Sequence, residues 1–130
     1  MGILGIGTDL VHIPRIAALL VRQPHRLPRR VLSPFEHPLW HALQSSEQRV
    51  RFVAVRWAVK EAAYKALYPT FIPTWKELSY LPPPSDTRGK PSLLFLPSSD
   101  RKASHGVKLH VSVTHDGEYA IASVVAERVP

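Results

Sequence analysis

Arg56-Trp57-Ala58-Val59-Lys60-Glu61-Ala62-Ala63-Tyr64-Lys65-Ala66 is the stretch that decides how the rest of this chain must be arranged. Placed on a helix, Phe52, Val55, Val59, Ala62 and Ala66 form one apolar face, while Ala54, Trp57, Ala58, Tyr64 and Tyr68 line the opposite side with Glu61 and Lys65 among them. A helix apolar on nearly all sides is a buried one. An ionised Glu61 then needs a cation, and Lys65 one turn on meets only part of that need. Arg49, Arg56 and Lys60 fall on a third stripe, where spacings of four and seven residues align their charges toward an anion. The competing reading is a core helix with a structural Glu61–Lys65 pair and a solvated basic edge. Nothing within the helix decides between the two.

The chain has 130 residues, the size of one domain over residues 1–130 with room for one core. Hydrophobic residues make up 45% of it, enough to fold. No apolar run approaches the length of a membrane span, and the N-terminus lacks a signal-peptide pattern. A soluble intracellular protein with no membrane partner is expected, cytoplasmic or, in a eukaryote, in the mitochondrial matrix. There are no cysteines, so disulfides, thiolate metal sites and a cysteine nucleophile are excluded, and any metal must be held by oxygen or imidazole. A net charge of +7 implies an acidic partner without saying which.

Outward from the central helix, residues Met1 to Val11 read as a buried strand in which Gly5 and Gly7 admit close approach of a backbone or ligand. Asp9 stands where strand gives way to helix, positioned either to cap that helix or to hold a cation. Pro14 suits the first turn of the next helix, whose apolar side is Ile16, Leu19 and Leu20 and whose flank carries Arg15 and Arg22. Arg26, Arg29 and Arg30 continue the basic edge. Ser33-Pro34-Phe35-Glu36 has the form of a helix start, with Glu36 closing a capping box on Ser33. A second box, Ser45 with Gln48, starts the central helix, and Pro69 ends it after about twenty residues.

Beyond Pro69 the period changes to two, with strands expected at Glu77 to Leu81, Ser92 to Leu96, Val107 to Thr114 and Tyr119 to Val125. Asp116-Gly117 signals a hairpin between the last two, leaving His115 at a strand end. Pro82-Pro83-Pro84 and the polar stretch Pro97 to Gly106 read as loops. The expected fold is α+β, a mainly antiparallel sheet packed around a long central helix.

Three separated stretches fit one pattern: Gly5-Ile6-Gly7-Thr8-Asp9-Leu10-Val11, the segment Arg56 to Ala66, and His110-Val111-Ser112-Val113-Thr114-His115. Together they resemble the holo-[acyl-carrier-protein] synthase family of 4'-phosphopantetheinyl transferases, of the short single-domain type. Gly89-Lys90-Pro91 and Arg29-Arg30-Val31-Leu32-Ser33 extend the likeness over nearly the whole chain. Each piece alone is weak; the combination is specific. The resemblance implies magnesium-dependent transfer of phosphopantetheine from coenzyme A to a serine of an apo acyl carrier protein, releasing adenosine 3',5'-bisphosphate, as fatty acid biosynthesis requires.

Under that resemblance the metal ligands map onto Asp9 and Glu61, which would hold magnesium or manganese with phosphate and water completing the shell. Lys65 matches the motif lysine and would neutralise pyrophosphate charge, its other reading being a partner for Glu61. Asp9, Glu61 and Lys65 are therefore the catalytic candidates. Coenzyme A contacts fall on Arg56, Lys60, Lys65, Gly89, Lys90, Pro91 and His115. The plainer readings are solvated salt bridges for Arg56 and Lys60, and a hydrogen-bonded strand-end imidazole for His115. His12 departs from the acid or other polar residue that relatives often carry two or three places after the metal aspartate.

The carrier serine would attack the β-phosphate, its proton passing to Glu61 or to metal-bound water; the sequence does not choose. The resemblance further implies a homotrimer with each active site shared between neighbours, and carrier docking on Arg15, Arg22 and Arg26 with Arg29 and Arg30. The rival readings are a small basic nucleic-acid-binding module and a noncatalytic structural subunit. Both leave Asp9 and Glu61 without purpose, and no aromatic residues interleave with the basic ones as base stacking requires, so no nucleic-acid partner is expected.

Overall fold

The computed structural model describes residues 2–85, 88–98 and 106–130. Its elements run β1 (Gly2–His12), α1 (Ile13–Arg22), α2 (Arg26–Val31), α3 (His37–Ala42), α4 (Ser46–Leu67), β2 (Leu78–Leu81), β3 (Ser92–Phe95), β4 (Val107–Asp116) and β5 (Tyr119–Arg128). The strands make a three-stranded antiparallel sheet of order β1-β5-β4 and a two-stranded antiparallel sheet, β2-β3. This is the α+β arrangement expected. Most of the polar stretch expected to form a loop from Pro97 to Gly106 lies outside the described residues.

The helix α4 is the pillar because its sequence starts, fills and stops it. Ser45 accepts from the Gln48 amide at 3.1 Å, satisfying one of the first-turn donors. Gln48 reaches the amide of Gln44 rather than that of Ser45, so the expected box closes by one bond only. Ala58, Ala62, Ala63 and Ala66 are fully or almost fully buried, and small residues let the helix lie very close to the sheet.

The closest approach is at β1. A Cβ placed on Gly7 would stand 1.9 Å from the Ala62 carbonyl oxygen, and one on Gly5 would stand 2.3 Å from that of Ala66. Both are impossible contacts, so the glycines admit the helix backbone itself, the first of the two alternatives their positions suggested. On β5, Ala120, Ala122, Val124 and Ala126 face the same way and are buried.

Alternation leaves the sheet's other face open. Ile3, Ile6 and Leu10 of β1 and Tyr119 and Ile121 of β5 are exposed there, and the Thr8 and Ser123 hydroxyls hydrogen-bond at 3.4 Å across the strand pair. The hairpin turn is Gly117-Glu118, one residue later than expected. Asp116 pairs with Tyr119 as the last rung, and Gly117 takes φ +57°. Among the described residues no helix is long and apolar enough to cross a membrane.

The expected helix start at Ser33 is displaced. α3 begins at His37, and Glu36 accepts from the Ser33 amide at 2.8 Å, while the Ser33 hydroxyl bonds Ser79 at 2.6 Å on β2 instead of capping. Glu36 is fully buried. A short 3-10 turn, Trp75–Glu77, leads into β2, so Glu77 caps rather than opens the strand.

Candidate functional site

The glycine contacts fix where the helix side chains fall along β1, and so bring Asp9, Glu61 and Lys65 together. Lys65 donates to the Thr8 carbonyl at 2.9 Å, and its ammonium lies 3.6 Å from the Asp9 carboxylate. The Asp9 side chain is 18% exposed and that of Lys65 about half exposed. Burial raises the pKa of Asp9 against the pull of Lys65 and Arg15. Burial also raises that of Glu61, and the Asp9 charge raises it further against Lys65. Two carboxylates thus compete for one ammonium, and Asp9 holds it. No Glu61–Lys65 ion pair forms, so the structural pair considered for these residues is replaced by Lys65–Asp9. Desolvated, mutually repelling carboxylates are a setting in which a divalent cation lowers the energy. A two-carboxylate set suits magnesium, whose remaining positions go to phosphate and water.

Arg15 completes this edge. Its guanidinium lies 5.6 Å over the Trp57 ring, which meets Trp75 edge-on at 5.0 Å. Arg22, Arg26, Arg29 and Arg30 are exposed along α1 and α2, and none of these five arginines is in an ion pair among the described residues.

A second cluster forms on the opposite flank of α4. A cleft of about 700 Å³ is lined by Arg51, Phe52, Arg56, Tyr80, Val113 and His115, among others. Arg56 donates to the Tyr80 carbonyl at 3.0 Å and stacks 3.6 Å from the centre of the Phe52 ring. Burial pulls its pKa down to about 10 against the attraction of Glu36. Its Nε lies 3.5 Å from the Glu36 carboxylate but is not aligned for a hydrogen bond, and has no other partner.

Lys60 corrects the sequence reading. It is 0% exposed, and its ammonium donates to Glu36, to the Val31 carbonyl at 2.7 Å and to the Trp75 carbonyl at 2.9 Å. All its donors are used inside the protein, so it cannot contact coenzyme A. The stripe that carries it also carries Val53, Ala63 and Leu67, which are buried, so that side of the helix is core. Lys60 and Arg56 on an apolar stripe imply a buried acid from elsewhere. That acid is Glu36, which a local capping reading could not assign.

Gly89, Lys90 and Pro91 lie in an exposed loop. Lys90 and Pro91 line a groove of about 550 Å³ between β3 and the Val107–Val111 part of β4, further along the edge that bears His115. A Cβ on Gly89 would meet only Pro83 at an ordinary 3.5 Å, so close approach within the chain does not require glycine there. The residues expected to act together therefore divide between two edges. Glu61 and Arg56, five residues apart, point about 140° apart around α4.

A model of the 4'-phosphopantetheinyl transferase superfamily matches residues 5–124. The chain is 44% identical over 129 residues to a holo-[acyl-carrier-protein] synthase of Edwardsiella ictaluri, covering 98% of this chain and 99% of that protein. It is 43% identical, over the same shares, to one from Yersinia pestis. Among solved structures, a holo-(acyl-carrier-protein) synthase of Bacillus anthracis in complex with CoA (3',5'-ADP) superposes with a TM-score of 0.75 at 29% identity, covering 98% of this chain and 99% of that one. The Neisseria meningitidis synthase gives 0.79 at 28%, covering 97% and 99%.

Proposed function

The chain belongs to the 4'-phosphopantetheinyl transferase superfamily as a holo-[acyl-carrier-protein] synthase, and from that premise we propose how its residues divide the transfer of 4'-phosphopantetheine from coenzyme A to a serine of an apo acyl carrier protein. The observation that carries the reading is the convergence of Asp9, Glu61 and Lys65 enforced by Gly5 and Gly7. Asp9 and Glu61 hold magnesium, for which manganese can substitute. The ion, when bound, supplies positive charge to the pyrophosphate oxygens of coenzyme A. Lys65, anchored on the Thr8 carbonyl, presents its remaining donors to the same oxygens as the serine oxygen–phosphorus bond forms and the bond to the 3',5'-bisphosphate leaving group breaks.

Arg56, Arg51 and His115 receive the nucleotide end of coenzyme A in the β4-edge cleft. Lys90 and Pro91 border the groove that continues along the same strand. Arg15, Arg22 and Arg26 meet the acidic carrier. The whole chain acts as one catalytic domain, in the cytoplasm.

The metal-side and nucleotide-side residues face opposite flanks of α4, so one chain does not complete a site. We infer a homotrimer in which the β1 edge of one protomer faces the β4 edge of the next. The exposed apolar face of the sheet, with Ile3, Ile6, Leu10 and Ile121, supports this, because a soluble chain rarely leaves such a face open.

The test is to incubate the protein with apo carrier protein, coenzyme A and magnesium and weigh the carrier. The expected result is a gain of one phosphopantetheine that is lost when the metal is chelated. An unchanged carrier mass at saturating coenzyme A and magnesium would overturn the reading.

A further inference from the structure

We propose that Glu36 is a positioning residue for coenzyme A, holding the Arg56 guanidinium at the wall of the β4-edge cleft; this rests on the reading of that cleft as the nucleotide site. Glu36 sits between α2 and α3, twenty residues before Arg56 in the sequence. One carboxylate oxygen accepts from Lys60 and from the Ser33 amide at 2.8 Å. The other accepts from the Tyr80 amide at 2.9 Å and lies 3.5 Å from Arg56 Nε. The carboxylate is thus pinned from α4, from β2 and from its own turn, and its position is not free to follow Arg56.

Arg56 is gripped in turn. Its Nη2 donates to the Tyr80 carbonyl and the Phe52 ring covers one face, so Nε and Nη2 are directed inward. The remaining nitrogen, Nη1, makes no hydrogen bond among the described residues and is the one left for the cleft. The charges do not balance: one carboxylate stands among two cations, Lys60 and Arg56, whose side chains are 0% and 10% exposed. A buried cluster with one excess positive charge, opening at Arg56 into a cleft, is arranged for an anion arriving from outside.

The experiment compares Lys60→Met, the double variant Glu36→Gln with Lys60→Met, and Arg56→Lys by melting temperature and by kinetics against coenzyme A and carrier. Lys60→Met removes the ammonium that Glu36 and the Val31 and Trp75 carbonyls share, leaves Arg56 as the one counter-charge of Glu36, and lowers the melting temperature. The double variant leaves Arg56 as the one charge of the cluster, with no acid beside it. If Glu36 positions Arg56, the double variant still shows a coenzyme A KM raised by at least about tenfold, the size of a lost charge-assisted hydrogen bond, with kcat and carrier KM nearly unchanged. A normal coenzyme A KM in a folded double variant overturns the proposal. Should the double variant fail to fold, Glu36→Asp, which keeps the charge but draws it back from Arg56, must show the same selective KM rise; a normal KM overturns the proposal equally. If Arg56→Lys itself leaves the coenzyme A KM unchanged, the nucleotide reading of the cleft has failed, whatever the double variant does.

Discussion

Adding a single methyl group at Gly7 tests whether the approach of α4 to β1 sets up the site. The new Cβ would lie 1.9 Å from the Ala62 carbonyl oxygen and 2.9 Å from the Lys65 Cβ. A carbon–oxygen contact relaxes at roughly 3.3–3.6 Å, so helix and strand must part by about 1.5 Å. A gap of only 0.5–1 Å already forfeits roughly a quarter to a half of each dispersion contact along the seam. The obstacle is backbone, which no rotamer change relieves, so the cost should reach the upper end for overpacking, about 3 kcal/mol. At about 4 °C per kcal/mol for a chain of this size, Gly7→Ala should melt about 12 °C lower. The control is Gly2→Ala, where nothing lies within 4 Å. The same parting draws Glu61 and Lys65 away from Asp9, so magnesium affinity should fall beyond what the lost stability explains. Differential scanning calorimetry of both variants, with magnesium titrated calorimetrically into each, measures the two effects. The reasoning is refuted if Gly7→Ala melts with the control and binds magnesium as tightly.

Asp9→Ala and Glu61→Gln should each abolish transfer while leaving the circular dichroism spectrum and melting temperature near normal, because each removes a carboxylate that burial already disfavours; near-normal turnover at saturating magnesium would contradict the metal assignment. Light scattering of an active sample should give the mass of a trimer, and a monomeric mass would count against shared sites. Reversing Arg15 and Arg22 to Glu should raise the carrier KM and flatten its salt dependence with coenzyme A binding unchanged, since several exposed charges of about 0.2–1 kcal/mol each set encounter and orientation; equal loss of coenzyme A binding would move these arginines to the nucleotide site. At Glu77, partial burial is outweighed by hydrogen bonds from Thr74 and Ser98, which hold the pKa below 4.5. Its folded value lies under its unfolded one, so its contribution is complete above that unfolded value and disappears as pH falls through the folded one. Glu77→Gln should therefore lower the melting temperature at neutral pH and converge with the parent in strong acid; a constant difference at all pH values would rule this out.

The helix α4, the first strand and the final hairpin could be read from sequence because each is specified locally, by Ser45 and Pro69, by the run from Ile3 to Val11, and by Gly117. Asp9 and Glu61 stand out because carboxylates in apolar segments carry an electrostatic cost, but the choice of a metal over a cap or a structural pair, and the catalytic role of Lys65, come from the family resemblance. The fate of Lys60 could not be foreseen in the same way. A helical wheel tells which residues share a face but not what covers it, and the cover comes from Glu36, Val31 and Trp75, each on a different segment. Ser33 shows the same override, its hydroxyl leaving a cap for a partner on β2. The division of the site between two edges depends on the strand order β1-β5-β4, which no periodicity encodes.

The first strand is the outermost of its sheet, joined by a ladder to β5 alone and resting on α4 through glycines that have no side chains to interlock. Such a strand is the natural place for reversible opening, with amide protons that exchange sooner than those of β5. Any ligand gripping Asp9 and Glu61 at once ties this strand to the helix beneath it, and its binding energy is spent against that opening. Amides from Gly5 to Val11 should therefore slow their exchange with solvent when magnesium and nucleotide are added, and the N-terminus should become harder for a protease to reach.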